Sequence, residues 1–81
     1  MSISRLVFNP PSVHVAVGGT VTVTNNDGTK HGWAADPGQP DSWDSGDLLG
    51  GAAFTHRFGA AGTFTYHCTV HPFMTGTVVV G

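Results

Sequence analysis

Short runs in which apolar and polar residues alternate, separated by glycine and proline, make up most of this chain. Alternation with a period of about two residues is typical of half-buried β-strands, and no stretch shows the spacing of an amphipathic helix. The pattern therefore predicts about six to eight short strands in an all-β fold. The clearest runs are Leu6–Phe8, Val13–Val17, Thr20–Thr24, Phe54–Phe58, Phe64–Cys68 and Thr77–Val80.

Glycines mark the reversals between these runs. Gly18-Gly19 and the stretch Gly59–Gly62 each stand between two runs, so each is predicted to join a pair of strands. Thr77–Val80 is almost wholly apolar, which indicates a central strand. Asp36–Gly51 is rich in Gly, Pro, Asp and Ser and is predicted to be a long loop with at most one short edge strand. We expect residues 1–81 to form a single domain, an antiparallel β-sandwich or barrel.

Length and charge narrow the possible functions. A domain of this size buries only about 60% of the surface that its unfolded chain exposes, so a bound metal would help to stabilise it. A disulfide cannot do so, because Cys68 is the only cysteine. The net charge of −2 without a basic stripe argues against nucleic acid as a partner. No apolar run reaches the roughly 20 residues of a membrane-spanning helix, and Met1–Arg5 lacks the layout of a signal peptide.

The segment Tyr66–Met74 concentrates residues that bind soft metals. Cys68, His71 and Met74 follow at intervals of three, so their side chains converge only if the chain turns directly after the cysteine. His31 supplies a second imidazole from earlier in the chain. Two imidazoles and a thiolate in a plane, with a weak axial methionine, form the ligand set of a blue-copper site. The predicted ligands of one copper ion are His31, Cys68, His71 and Met74.

Other functions could use the same residues. A copper carrier or a zinc-stabilised module would also need the cysteine and the histidines, although zinc does not usually select methionine. An enzyme could use Cys68 as a nucleophile with a histidine as base. That alternative leaves Met74 without a role, and no Asp or Asn is recognisably placed to orient the base. The chain could also be a copper-binding domain of a longer protein.

The ligand segment resembles that of the cupredoxins, the type 1 blue copper proteins, and within them most closely amicyanin, plastocyanin and pseudoazurin. The resemblance lies in the short Cys-x2-His-x2-Met spacing and in the approach Asn25–His31 to the first histidine. Further similar segments are Phe8–Pro10, Val15–Gly18, Asp44–Gly46, Gly62–Phe64 and Gly76–Val80. The resemblance implies a Greek-key sandwich and a monomeric, non-enzymatic carrier that shuttles single electrons through one Cu(I)/Cu(II) site. It also implies a periplasmic or other extracytoplasmic location.

Three positions differ from the usual pattern of this family. Gly32 stands where an asparagine usually follows the first ligand, which removes a side chain that ties the two ligand loops together. Val70 stands where a proline often precedes the second histidine, so its N–H is free to donate to the Cys68 sulfur and to raise the reduction potential. His56 lies at a strand position that is usually apolar, and we expect it to be partly buried and hydrogen-bonded.

A redox partner is expected to contact the protein near the second histidine. If the fold brings the two ligand loops together, an apolar patch surrounds the exposed edge of that ring. The residues of this predicted patch are His71, Pro72, Phe73, Gly32 and Trp33. His67, which adjoins Cys68, offers an alternative exit for electrons at the side of the molecule.

Overall fold

Eight strands in two sheets, with no helix, form the fold in a computed structural model that describes residues 1–81. The first sheet has the strand order β2-β1-β4-β6 and the second β3-β8-β7-β5. The strands are β1 (Ser2–Ser4), β2 (Val7–Asn9), β3 (Ser12–Val15), β4 (Thr20–Asn25), β5 (Ala34–Ala35), β6 (Ala53–Arg57), β7 (Gly62–His67) and β8 (Thr75–Val80). The predicted all-β sandwich is confirmed, and no helix of a length and hydropathy suited to a membrane crossing is present.

The two glycine turns join consecutive strands as predicted, but the joined strands do not pair with each other. β3 and β4 lie in different sheets, and so do β6 and β7, because each turn carries the chain from one sheet to the other. The two corners meet: the Gly18 N–H donates to the Phe58 carbonyl at 2.6 Å, and the Phe58 N–H donates to the Gly19 carbonyl at 2.9 Å. Gly18 has a φ of +85°, a conformation in which a residue with a Cβ is strained.

The sandwich is mixed rather than purely antiparallel, which corrects the sequence prediction. β1 runs parallel to β4 and β3 runs parallel to β8, whereas the other strand pairs are antiparallel. The parallel pairs arise because β3 and β4 are each reached by crossing from the opposite sheet. β8 lies between β3 and β7, so the prediction of a central C-terminal strand is confirmed.

The hydrophobic core lies between the two sheets. Along β4, Val21 and Val23 are buried while Thr20 and Thr22 are exposed, which is the predicted alternation. Val17 was expected to share the inner face of its strand, but it lies beyond the end of β3 and is 55% exposed. The buried apolar residues that form one contiguous cluster are Ile3, Phe8, Val21, Val23, Trp33, Trp43, Leu48, Phe58, Phe64, Tyr66, Cys68, Met74, Val78 and Val80.

The long loop predicted over Asp36–Gly51 runs back along the segment that precedes it. Leu48 and His31 exchange two backbone hydrogen bonds of 2.7 and 3.0 Å, and the Ala35 N–H donates to the Trp43 carbonyl at 2.9 Å. These contacts form isolated bridges rather than a further strand. The loop therefore covers His31 on one side and keeps it out of water.

Candidate metal centre

The register between β7 and β8 decides at which end of the sandwich the site lies. β7 runs from Gly62, opposite Val80, to His67, opposite Thr75. Cys68 therefore leaves the sheet at the end remote from the Gly18 corner. Beyond it the chain closes on itself: the Cys68 N–H donates to the Met74 carbonyl, and the Met74 N–H donates to the His71 carbonyl, both at 2.9 Å. This is the turn directly after the cysteine that the spacing required.

The side chains of His31, Cys68 and His71 meet at this end. Cys68 Sγ lies 3.5 Å from His31 Nδ1 and 3.9 Å from His71 Nδ1, and the two nitrogens are 3.3 Å apart. A metal ion in a trigonal plane, at typical metal–nitrogen and metal–sulfur distances, has ligand atoms about 3.5 to 3.8 Å apart. The spacing of the three atoms thus fits one ion, and the mixture of imidazole and thiolate suits copper.

Met74, the fourth predicted ligand, is buried at the same end of the molecule and only 3% exposed. Its backbone closes the loop through the two hydrogen bonds described above. Its side chain also lines a shallow apolar depression of about 240 Å³. A soft thioether is a ligand that copper accepts, so the surroundings of Met74 are compatible with the predicted axial role.

Two backbone amides point at the Cys68 sulfur, one from each side of the site. The N–H groups of Gly32 and His71 both donate to Sγ, each at 3.4 Å. The expectation that Val70 supplies such a donor is wrong, because the turn brings the amide of the next residue to the sulfur instead. Donors of this kind withdraw charge from a thiolate and so influence the metal it binds.

Gly32 is required by the close approach of the two ligand loops. A Cβ at this position would overlap the Thr69 hydroxyl and would lie 3.3 Å from the Gly46 carbonyl oxygen. The space beside the first ligand is therefore occupied by Thr69. The loops are held together by this packing and by the bond from the Gly32 amide to Cys68, without the asparagine side chain that is usual in the family.

His31 is fully buried, and its ring is held from the side that faces away from the cysteine. Asp27 Oδ2 lies 2.8 Å from His31 Nε2. The same carboxylate accepts hydrogen bonds from the backbone amides of Arg5 at 2.8 Å and Leu6 at 3.2 Å. The hydrogen bond to His31, followed by those from the two amides, holds the pKa of Asp27 below its ordinary value. From the sequence alone, Asp27 is recognised only as part of the approach Asn25–His31 to the first histidine.

His71 differs from His31 in its exposure and its partners. It is half-buried in the closed loop, and its hydrogen-bond contacts within the chain involve Nδ1 and the backbone but not Nε2. The Phe73 ring lies 5.9 Å from it, centroid to centroid, and Phe73 is 71% exposed. One edge of His71 is thus set in an apolar part of the surface.

Two of the five residues predicted for the docking patch are not on the surface. Trp33 is 0% exposed because its ring packs in the core against Trp43, Phe58 and Tyr66. Gly32 is buried beneath Thr69. The placement of Trp33 and Gly32 in the patch is therefore wrong, whereas His71, Pro72 and Phe73 do reach solvent.

The remaining singled-out histidines pair with carboxylates away from the site. His56 is partly buried, with Nε2 3.1 Å from both carboxylate oxygens of Asp41, which confirms the expected hydrogen-bonded core histidine. His67 Nδ1 lies 2.7 Å from Asp36 Oδ1. A side-chain hydrogen bond from Thr65, followed by the contact with His67, lowers the pKa of Asp36.

A β-sandwich that gathers a buried histidine, a cysteine and a second histidine at one end, next to a methionine, has the architecture of the cupredoxins. The comparison with known families agrees: the profile described as copper binding proteins, plastocyanin/azurin family, matches residues 1–81. The chain belongs to this family. It is a blue copper electron-transfer protein with one copper site.

Individual relatives give the same result. Amicyanin-alpha of Methylorubrum extorquens is 34% identical over 82 residues, which cover 99% of this chain and 69% of that protein. Amicyanin of Paracoccus denitrificans is 35% identical, and the match covers 99% of this chain but only 63% of that protein. Plastocyanin of Scenedesmus fuscus is 34% identical over 93% of this chain and 87% of its own length. The solved structure of a reduced amicyanin mutant superimposes with a TM-score of 0.91 at 35% identity, covering 99% of this chain and 78% of that one.

Proposed function

We propose that His31, Cys68, His71 and Met74 bind the copper ion, and that residues 1–81 act as one unit that passes single electrons and catalyses no reaction. The observation that carries this proposal is the set of distances of 3.3 to 3.9 Å among two imidazole nitrogens and one thiol sulfur. Copper, when bound, supplies the one-electron couple. The family resemblance supports a location outside the cytoplasm and a monomer in solution.

The chain's own residues hold the ligand atoms in place. The Cys68 sulfur is restrained by the amides of Gly32 and His71, and the His31 ring by Asp27. Backbone hydrogen bonds close the loop around Met74. Contacts of this kind orient ligands before the metal arrives, so little movement is needed when one electron is added or removed. An arrangement this buried and this restrained favours an electron carrier over a module that hands its ion to another protein.

The exposed edge of His71 is the proposed point of electron exchange. Pro72 and Phe73 lie beside it, and the exposed apolar residues Leu6 and Val7 line the neighbouring depression together with Phe73. Among these side chains, only the His71 imidazole is able to carry a charge. A redox protein with an apolar contact surface would suit this patch.

Copper titration followed by spectroscopy and voltammetry tests the electron-carrier function. One equivalent of copper(II) should produce an intense blue colour, because charge transfer from the thiolate to copper absorbs visible light, and the loaded protein should cycle reversibly by one electron. A colourless complex, or tight copper binding without reversible cycling, would favour the carrier or zinc-module alternative.

Electron self-exchange between two copies of the chain tests the proposed exit. In Phe73→Asp, a negative charge on both contact surfaces should slow self-exchange by about tenfold or more, since like charges placed opposite each other oppose association. Val17→Asp is the matched control, because Val17 is also exposed but follows Val15, which pairs with Val80 at the opposite end of the sandwich. Equal rates for the two variants would contradict an exit near His71.

A further inference from the structure

One carboxylate joins the buried copper histidine to a part of the chain that is distant in sequence. Asp27 Oδ2 contacts His31 Nε2 at 2.8 Å, and the Asp27 side chain is only 18% exposed. Its two oxygens also accept the amides of Arg5 and Leu6. These two residues form the turn between β1 and β2, and both have positive φ angles, of 54° and 60°. The carboxylate therefore stabilises a turn of unfavourable backbone conformation while it holds the ring.

The contact decides which nitrogen of His31 is available to a metal. Nδ1 faces Cys68 at 3.5 Å, and a metal-binding nitrogen must be unprotonated. The ring proton must then reside on Nε2, where it donates to the carboxylate. A carboxylate hydrogen-bonded to a metal-bound histidine fixes both the tautomer and the ring orientation. It also makes the metal-binding nitrogen a stronger electron-pair donor.

The charge of Asp27 matters because the centre is buried. Copper(II), the Cys68 thiolate and the Asp27 carboxylate together have a formal charge of zero. Copper(I) with the same two groups has a charge of −1. Since an uncompensated charge in a buried site is unfavourable, the carboxylate stabilises the oxidised centre relative to the reduced one. His71 has no such partner, so this effect acts on one of the two histidines only.

We propose that Asp27 is a positioning residue that holds His31 in the metal-binding tautomer and, through its charge, lowers the reduction potential of the copper site. This inference rests on the proposed function, since it needs His31 to bind the copper. It assigns a role in redox tuning to a residue outside the four predicted ligands.

The test compares Asp27→Asn with Asp47→Asn in the copper-loaded protein. Asparagine at position 27 removes the charge but keeps an oxygen that can accept from His31. Asp47 is the control, because it carries the same charge and pairs only with Lys30 on the surface. We expect Asp27→Asn to shift the equilibrium between the copper(II) and copper(I) forms at least about tenfold toward copper(I). This corresponds to a rise of about 59 mV in the reduction potential. Asp47→Asn should give a clearly smaller shift. Equal shifts in the two variants would overturn the proposal.

A second measurement covers the case in which Asp27→Asn does not fold. In the unsubstituted copper(I) protein, which is diamagnetic, nitrogen-15 NMR of the His31 ring should show a proton on Nε2 that exchanges slowly with water. A proton on Nδ1, or none that is protected on Nε2, would refute the positioning role. Failure of the proposed function would be visible earlier and separately, as the absence of blue colour and of a redox couple in the parent protein.

Discussion

His31 and His71 present the same ring nitrogen to the same cysteine, yet their surroundings differ in almost every respect. His31 is fully buried, its backbone pairs with Leu48 on both N–H and C=O, and its outer nitrogen contacts Asp27. His71 lies half-buried in a closed loop beside Phe73, and its outer nitrogen makes no hydrogen bond within the chain. The buried side restrains the metal, and the loop side leaves one ring edge accessible to a partner.

The anchoring on the buried side extends behind Asp27 into the strand that precedes it. Asn25 is also fully buried; its Nδ2 donates to the carbonyls of Leu48 at 2.7 Å and Thr29 at 2.9 Å, and its Oδ1 accepts the Asp27 amide at 2.8 Å. A shift of His31 would break its two backbone hydrogen bonds with Leu48 and its contact with Asp27. A buried polar group that is left unsatisfied costs about 1 to 3 kcal/mol. The restrained position thus belongs to His31 and the accessible one to His71.

The largest expected effect comes from removing the Cys68 sulfur, which both His31 and His71 contact. Cys68→Ala should abolish the blue colour completely, because no thiolate remains to transfer charge to copper. The change is measured by the visible absorption spectrum after addition of one equivalent of copper(II). Retention of the blue colour would show that this cysteine is not the ligand.

Glycine substitutions at the two histidines test the comparison directly. His71→Gly should leave a gap open to solvent, so that added imidazole enters and restores the blue spectrum. His31→Gly should leave a closed cavity that imidazole cannot reach, and loss of the fully buried ring should destabilise the apo-protein by about 2 to 5 kcal/mol. Copper-loaded spectra with and without imidazole, together with denaturant unfolding, provide the measurements. Equal rescue of both variants would contradict the assignment of a buried and an accessible ligand.

The buried phenol of Tyr66 should make the protein less stable at alkaline pH. Burial raises the pKa of Tyr66 to about 12. In the unfolded chain the phenol titrates near 10, so the stabilisation is complete below pH 10 and decreases as pH rises toward 12. The free energy of unfolding should fall by about 1.4 kcal/mol per pH unit in that interval, or roughly 2 to 3 kcal/mol in total.

Tyr66→Phe isolates this effect, because Tyr66 is the only tyrosine. Denaturant unfolding of the parent and the variant at pH 8 and pH 11.5 or so gives the difference. The phenol donates to the Pro11 carbonyl at 3.5 Å and contacts Met1 Sδ at 3.2 Å, so the variant is expected to be somewhat less stable at pH 8. If the parent and the variant lose the same stability on going to alkaline pH, Tyr66 is not the group responsible.

Sequence patterns predicted the parts of the site that depend on local spacing. The Cys-x2-His-x2-Met segment contains its own turn, so the positions of Cys68, His71 and Met74 near one another follow from short-range geometry. The strands were predicted for the same reason, since alternation is a local signal. Their pairing was not, because a glycine turn does not reveal whether the chain returns to the same sheet or crosses to the other one.

The contacts that were missed depend on residues far apart in the sequence. The role of Asp27 requires the turn at Arg5-Leu6, and β1, with Ile3 as its one apolar residue, is too short to show alternation. Trp33 was placed on the surface by its proximity to His31, but residues 31–34 are all buried, and the Trp33 ring packs into the core. A segment that is buried on both faces shows no alternation of apolar and polar residues, so the sequence pattern does not reveal which of its residues are exposed.

The smallest expected effect concerns the amide that donates to Cys68. Proline at position 70 would remove the Val70 N–H, which makes no hydrogen bond within the chain, and would leave the His71 N–H at 3.4 Å from the sulfur. Val70→Pro should therefore change the reduction potential by much less than the 59 mV or so of a tenfold shift. Where the backbone tolerates it, proline should also stabilise the loop by about 0.4 to 1 kcal/mol, since the unfolded chain loses freedom. Voltammetry and thermal unfolding of the copper-loaded variant measure both quantities. A large fall in potential with the loop intact would return the donor role to Val70 and weaken the distinction between the two sides of the site.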